Sequence, residues 1–317
     1  MPTVRSHRGR CGIPICNSAG GGKLPCVVTD NFADAALILV GHGSTLNADS
    51  SAPTYQHADA LRARRLFAQV QECFWKLEPS ISGVLRGVSA PRVFIVPLFI
   101  SEGYFTEEVI PRELGLRAPG AAAFDRVRRR GGQTLHYCGP VGTHPSMTEV
   151  LLARARDIVE RHPFPRAPQP AETTLFIAGH GTGNNENSRK AIEHQVELIR
   201  ARNLYANVHA VFMEEEPRIA GCYTLAATRN IVMVPFFISD GLHSFEDIPV
   251  MLGEPERVVR ERLAAGQPTW RNPTEKHGQR VWYSASIGTE PSLADVILER
   301  VREAQAANNI AADVSPL

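Results

Sequence analysis

No stretch of the 317-residue sequence stays apolar for the roughly 18 residues that a bilayer demands, and the longest apolar run, Ile231 to Ile238, is of strand length. The first thirty residues hold arginines but no apolar h-region, so no secretory signal is read and a cytoplasmic protein is expected, with no membrane partner. An excess of one charge is missing too. The 34 Lys and Arg are balanced by 33 Asp and Glu, which leaves no global field to attract nucleic acid. Neither a Gly-rich phosphate loop with its lysine nor a Gly-x-Ser-x-Gly elbow occurs, which weakens a phosphoryl-transfer or hydrolase reading. Cysteine is scarce and scattered. Cys73, Cys138 and Cys222 lie in apolar text and read as small buried hydrophobes. Cys11, Cys16 and Cys26 lie in a Gly-rich stretch with no fourth ligand, and residues 1–32 are read as a flexible leader rather than a metal cluster.

What is present is a repeat. Val96-Pro97-Leu98-Phe99-Ile100-Ser101-Glu102-Gly103 returns as Val234-Pro235-Phe236-Phe237-Ile238-Ser239-Asp240-Gly241, an offset of 138 residues. At the same offset Gly41-His42-Gly43 maps onto Gly179-His180-Gly181, and Ile110-Pro111 onto Ile248-Pro249. Gly142-Thr143-His144-Pro145-Ser146 matches Gly288-Thr289-Glu290-Pro291-Ser292 at offset 146, so the second copy gained eight residues, placed here in the polar stretch Ala264 to Gln279. One register held over a hundred residues means a duplicated domain. The expected organisation is a first lobe over 33–162, a proline-rich linker over 163–171 and a second lobe over 172–308.

In the second copy, strand text at Thr174–Ala178, Asn207–Met213, Ile231–Phe237 and Arg280–Ser284 alternates with helical text. Ser188 is read as a cap of the helix reaching Arg202, Pro217 as the opening of the next helix, and Pro291 to Ala306 as the last. The order βαβαβαβα predicts an α/β fold: two tandem repeats of a small parallel-sheet domain.

In such sheets ligands bind beyond the carboxyl ends of the strands. His180 follows the first strand of the second copy, Glu214 the second and His243 the third. A single Gly-His-Gly is a weak signal, because a histidine after a strand is more often a hydrogen-bonded structural residue. Three polar side chains at three successive strand ends are harder to assign to packing. Two imidazoles and a carboxylate suit a first-row divalent metal, and histidine also takes protons near neutrality. Gly179, Gly181 and Gly241 permit tight turns and the close approach of a large planar ligand. The first copy keeps His42 but has Phe105 opposite His243 and Lys76 opposite Glu214. One half thus holds the chemistry, the other is specialised for structure or substrate binding, and His42 is expected to line the same cleft.

Gly-His-Gly after the first strand, Glu-Pro after the second, and Val234-Pro235-Phe236-Phe237-Ile238-Ser239-Asp240-Gly241-Leu242-His243 with Asp247-Ile248-Pro249 together resemble the CbiX-type sirohydrochlorin chelatases, whose long form is a tandem duplication of the short one. The likeness runs from about Ala35 to Ala306. It implies a bilobal class II chelatase fold and ATP-independent insertion of a divalent metal into sirohydrochlorin or a related tetrapyrrole, in cobalamin- or siroheme-type biosynthesis. Co²⁺ is the first expectation, Fe²⁺ or Ni²⁺ the others, and the metal is a substrate. By position, His180 and His243 correspond to the family's catalytic histidines and Glu214 to the acidic residue near them; Glu215 is the alternative, because the Glu-Pro segment is one residue shorter here. Gly-Thr-Gly-Asn-Asn after His180 departs from the family's usual Gly-Ser-Arg text. The carboxylates of sirohydrochlorin call for arginines, for which Arg189, Arg64, Arg112 and the run Arg128-Arg129-Arg130 are candidates. A monomer or weak homo-oligomer is expected, since duplication can replace a dimer of single lobes. The alternative reading is a carrier that binds metal or tetrapyrrole without turnover.

Overall fold

The structure is a computed structural model that describes residues 31–45, 47–181 and 186–313, with side chains to residue 308. Cys11, Cys16, Cys26, nearly all of the leader and the Thr182-to-Asn185 segment after His180 lie outside the described residues.

Apolar strand text folds as the alternation of apolar residues requires. The first half contributes β1 (Phe32–Gly41), β2 (Phe67–Phe74), β3 (Arg92–Pro97), β4 (Val127–Arg130) and β5 (Gln133–Tyr137). The second contributes β6 (Thr173–Gly179), β7 (Asn207–Phe212), β8 (Asn230–Pro235), β9 (Thr274–Lys276) and β10 (Gln279–Tyr283). They form two sheets of identical order, β2-β1-β3-β5-β4 and β7-β6-β8-β10-β9. All neighbours run parallel except the last, where β4 and β9 lie antiparallel at the edge. Both sheets are therefore mixed, with a fifth strand that the alternation did not announce. β4 is Val-Arg-Arg-Arg and wholly exposed, so no buried face gives it a period. Its signal lies in the turn: Gly131-Gly132 and His277-Gly278 all take positive φ and close two-residue hairpins.

Helices α1 (Ala52–Arg64), α2 (Ile81–Val84), α3 (Ile110–Glu113) and α4 (Met147–Arg161) belong to the first half. Helices α5 (Glu186–Arg200), α6 (Cys222–Leu225), α7 (Ile248–Met251), α8 (Glu256–Ala264) and α9 (Leu293–Asp313) belong to the second. Alternate strand residues face opposite ways. Leu37, Leu39, Phe94 and Val96 join Leu175, Ile177, Val232 and Val234 in one core shared by both halves, while Ala36, Ile38, Val40, Val93 and Ile95 build a separate outer core. The shared core is filled by α1, α4, α5 and α9, and the closing helices are exchanged: α4 packs on β8 and β10, and α9 on β3 and β5. Neither half closes its core alone. No helix among the described residues is long and apolar enough to cross a membrane.

Three readings change. Pro217 does not open a helix, because its carbonyl accepts from Phe212 N at 2.9 Å in an extended pairing; the chain turns only at Ile219, ahead of α6. Ser188 lies buried inside α5, which starts at Glu186, and is not its cap. The eight extra residues of the second copy provide α8, upstream of the stretch expected from the polar text.

Candidate metal-handling site

In the order β7-β6-β8, the chain leaves β6 for a neighbour on one side and then crosses to the other, so the crevice beyond β6 and β8 is a topological switch point. His180, Glu214 and His243 meet there. Gly181, at φ +67°, turns the chain sharply after His180, and a Cβ on it would lie 2.9 Å from Phe212 Cβ. The turn brings His180 Nδ1 to 2.9 Å from Gly181 O. A carbonyl only accepts, so Nδ1 carries the proton and Nε2 keeps its lone pair. That Nε2 faces Glu214 Oε1 at 3.7 Å.

His243 begins a wide π-type turn, His243–Asp247, running into α7. Its Nδ1 donates to Asp247 Oδ2 at 2.7 Å, which again leaves Nε2 as the free lone pair. The rings of His180 and His243 lie 5.0 Å apart, inclined at 74°. Two Nε2 atoms, left over by the Nδ1 hydrogen bonds, and a largely exposed carboxylate therefore share one rim. Among the described residues, no three His, Cys, Asp or Glu side chains are drawn together into a closed coordination set.

The other glutamates are engaged elsewhere. Glu215 receives Arg189 Nη1 at 3.1 Å, and Glu216 caps its own turn by accepting from Arg218 N at 3.0 Å. Arg189 also binds Glu193, so its guanidinium is held on both sides. Arg64 is tied to Asp295, Arg112 lies near Glu113, and Arg128 donates to the Gly115 carbonyl. A Cβ on Gly179 would strike Ile192 Cδ1 at 2.0 Å, so this glycine serves the packing of α5 on the strand end. Gly241 faces Asn47 from the first half, 3.5 Å from its would-be Cβ.

His42 repeats the local geometry of His180, with Nδ1 2.8 Å from Gly43 O. Its neighbours are aromatic instead: Trp75 at 5.3 Å and Phe105 at 5.1 Å between ring centroids. His42 and Phe99 from the first half, with Phe237, Gly241 and His243 from the second, line one cavity of about 260 Å³. A larger cavity of about 430 Å³ lies against the proline-rich linker, away from these histidines, and holds none of the rim residues. Asp247 is the contributor that the strand-end reading missed; its signal was the His-x-x-x-Asp spacing, which puts both side chains on one helical face.

Fold and rim together define a duplicated α/β protein whose second half carries a His–His–carboxylate rim, of which His243 lines the cavity between the halves. Residues 36–158 and 174–304 each match the CbiX family model, and the chain belongs to the CbiX family. A probable sirohydrochlorin cobaltochelatase from Halobacterium salinarum is 44% identical over 282 residues, covering 86% of this chain and 92% of that one. A sirohydrochlorin cobaltochelatase from Methanopyrus kandleri is 29% identical over 138 residues, 41% of this chain but 95% of its own, so a whole relative corresponds to under half of this chain. Among solved structures, a multi-domain Deinococcus radiodurans protein, described as similar to chelatases with two additional novel domains, aligns with a TM-score of 0.68 and 31% identity. The match covers 84% of this chain and 54% of that protein, so this chain spans about half its length.

Proposed function

We propose that the chain inserts a divalent first-row metal into sirohydrochlorin or a closely related tetrapyrrole, with Co²⁺ as the first candidate and Fe²⁺ or Ni²⁺ as the others, and without a nucleotide. The relatives named as cobaltochelatases support the choice of metal and macrocycle. The observation that carries the reading is the shared rim, His180 and His243 with free Nε2 atoms and Glu214 beside them.

Metallation has two demands. The hydrated cation sheds water, and two pyrrole N–H protons leave the ring. Glu214 and one imidazole hold the cation by two protein ligands at a time, so positions remain for water and then for ring nitrogens. A closed three-ligand set would hold the ion too well to release it, since binding the ground state more tightly gains nothing in the transfer step. The other imidazole takes one pyrrole proton at Nε2 as the metal enters, and the second proton leaves to water shed by the cation. Asp247 then sits where the resulting imidazolium needs a counter-charge.

The test is visible-spectrum metal insertion with Co²⁺, Ni²⁺ and Fe²⁺, comparing the wild type with His180→Ala and His243→Ala. Many turnovers by the wild type, and a loss of at least about 100-fold in either variant, are expected for an acid–base and ligand role. A single equivalent of bound metal or macrocycle without turnover means a carrier and overturns the proposal.

A further inference from the structure

The two halves keep one register at an offset of 138 residues, and four differences beside the cleft change its chemistry. Glu214 is matched by Lys76, His243 by Phe105, Leu242 by Tyr104 and Met213 by Trp75. Every exchange in the first half replaces a ligand or aliphatic group with an aromatic ring or a cation. The result is a cluster rather than scattered rings. Trp75 and Phe105 lie 4.9 Å apart, Tyr104 packs on Phe105 at 5.7 Å, and Phe99 stacks on Phe105 at 5.9 Å. Lys76 Nζ sits 4.7 Å from the centre of the Trp75 ring. Packing does not account for the outer members, because Trp75 is 38% and Tyr104 59% exposed. The cluster adjoins the cleft through His42, which touches both Trp75 and Phe105 and shares a cavity with His243.

We infer that this half has become the macrocycle-holding wall: Trp75, with Tyr104 and Phe105, stacks against the conjugated ring, and Lys76 pairs with a peripheral carboxylate. The inference rests on the chelatase reading and adds to it the residues that choose the substrate. A planar, polyanionic ligand needs an aromatic face and a cation together, and this rim supplies both. The cation on one rim and the carboxylate on the other divide the work by charge, Lys76 attracting the anionic macrocycle and Glu214 the metal. A ring pressed on one wall presents its open face to His180 and His243 across the cleft.

The experiment titrates metal-free sirohydrochlorin into the full chain and follows the macrocycle's absorption, with insertion by the wild type assayed in parallel. Trp75→Ala is expected to weaken binding about tenfold, and Trp75→Phe to recover most of it, as loss and restoration of a stacking face require. Lys76→Glu, a change at an exposed position with little risk to folding, is expected to weaken binding by a similar factor at low salt and by less as salt rises. Wild-type affinity in both Trp75→Ala and Lys76→Glu overturns the wall while the chelatase reading stands. A wild-type chain that neither binds the macrocycle nor inserts metal overturns the reading beneath it.

Discussion

His243 and Asp247 show how a residue acts through its neighbour. The carboxylate accepts from Nδ1 at 2.7 Å, so the imidazole's orientation and tautomer are set before any substrate arrives. Removing the partner leaves the ring free to rotate and to place its proton on the wrong nitrogen. Asp247→Ala is expected to lower metal insertion by about 10–100-fold, the usual cost of losing such a partner. Asp247→Asn keeps an acceptor and loses only the charge, so its defect should be smaller and should appear as a shifted pH–rate profile. Both side chains are about half exposed, so neither change should lower the melting temperature much. Wild-type insertion by Asp247→Ala would remove this residue from the mechanism. The sequence displayed His180, Glu214 and His243 because each follows an apolar strand. It displayed Asp247 only as part of a motif, since a supporting carboxylate one turn along a helix resembles any exposed helical acid.

At the scale of elements, the same wide turn occurs twice, at Phe105–Val109 and at His243–Asp247. Within each turn the bonds run from residue i+5, and Thr106 O and Ser244 O stand five residues before Pro111 and Pro249, which have no N–H to give them. In each half a buried tyrosine from the fourth parallel strand supplies the missing donor. Tyr137 Oη donates to Thr106 O at 2.7 Å and Tyr283 Oη to Ser244 O at 2.8 Å. Burial pushes both phenols well above their ordinary range, so each remains a donor at any working pH. Tyr→Phe at either site strands a buried carbonyl, at a cost of about 1–3 kcal/mol measured by denaturant unfolding. The functional effects should separate. Tyr283→Phe loosens the turn that carries His243 and should lower kcat. Tyr137→Phe loosens the turn that carries Phe105 and should raise KM for the macrocycle. Equal effects on both parameters would show that the turns do not position the rim. The sequence displayed the two prolines as a kept pair of the repeat but not the tyrosines that answer them. Spacing announces a helix after a strand, whereas the donor to each turn's carbonyl is a tyrosine more than thirty residues away.

The whole molecule is held as a reciprocal pair. Arg154 of α4 donates to Ser286 O and Thr289 in the second half, and Arg300 of α9 donates to Pro140 O and Thr143 in the first. Helical text from Pro291 to Ala306 announced the helix that became α9. An amphipathic pattern does not say against what a helix packs, so the exchange of helices between halves lay beyond it. The register of the repeat does point to one more pair: His57 and Gln195 stand at the same offset of 138 and both cross between the halves. Gln195 Nε2 donates to His144 O at 2.9 Å, and His57 Nε2 lies 2.7 Å from Gly288 O, where it must be the donor. His57 is fully buried, and its Nδ1 has no partner among the described residues. Burial, aided by the nearby Arg154 and Arg64 charges, pushes its pKa below the ordinary 6.5, against a smaller opposing effect of the Gly288 carbonyl. The folded protein thus keeps His57 neutral at pH values where the unfolded chain takes a proton. Stability from this site is complete above about pH 6.5 and falls as the pH drops below it, by at most about 1.4 kcal/mol per pH unit for one proton. His136, His144 and His209, lowered chiefly by burial, add to the same slope. His57→Gln copies the other half, keeps a donor for Gly288 O and has nothing to titrate. Denaturant unfolding at pH 7.5 and 5.5 should therefore show a smaller acid loss in His57→Gln than in the wild type. An equally steep loss would mean that acid opens the junction between the halves through other groups.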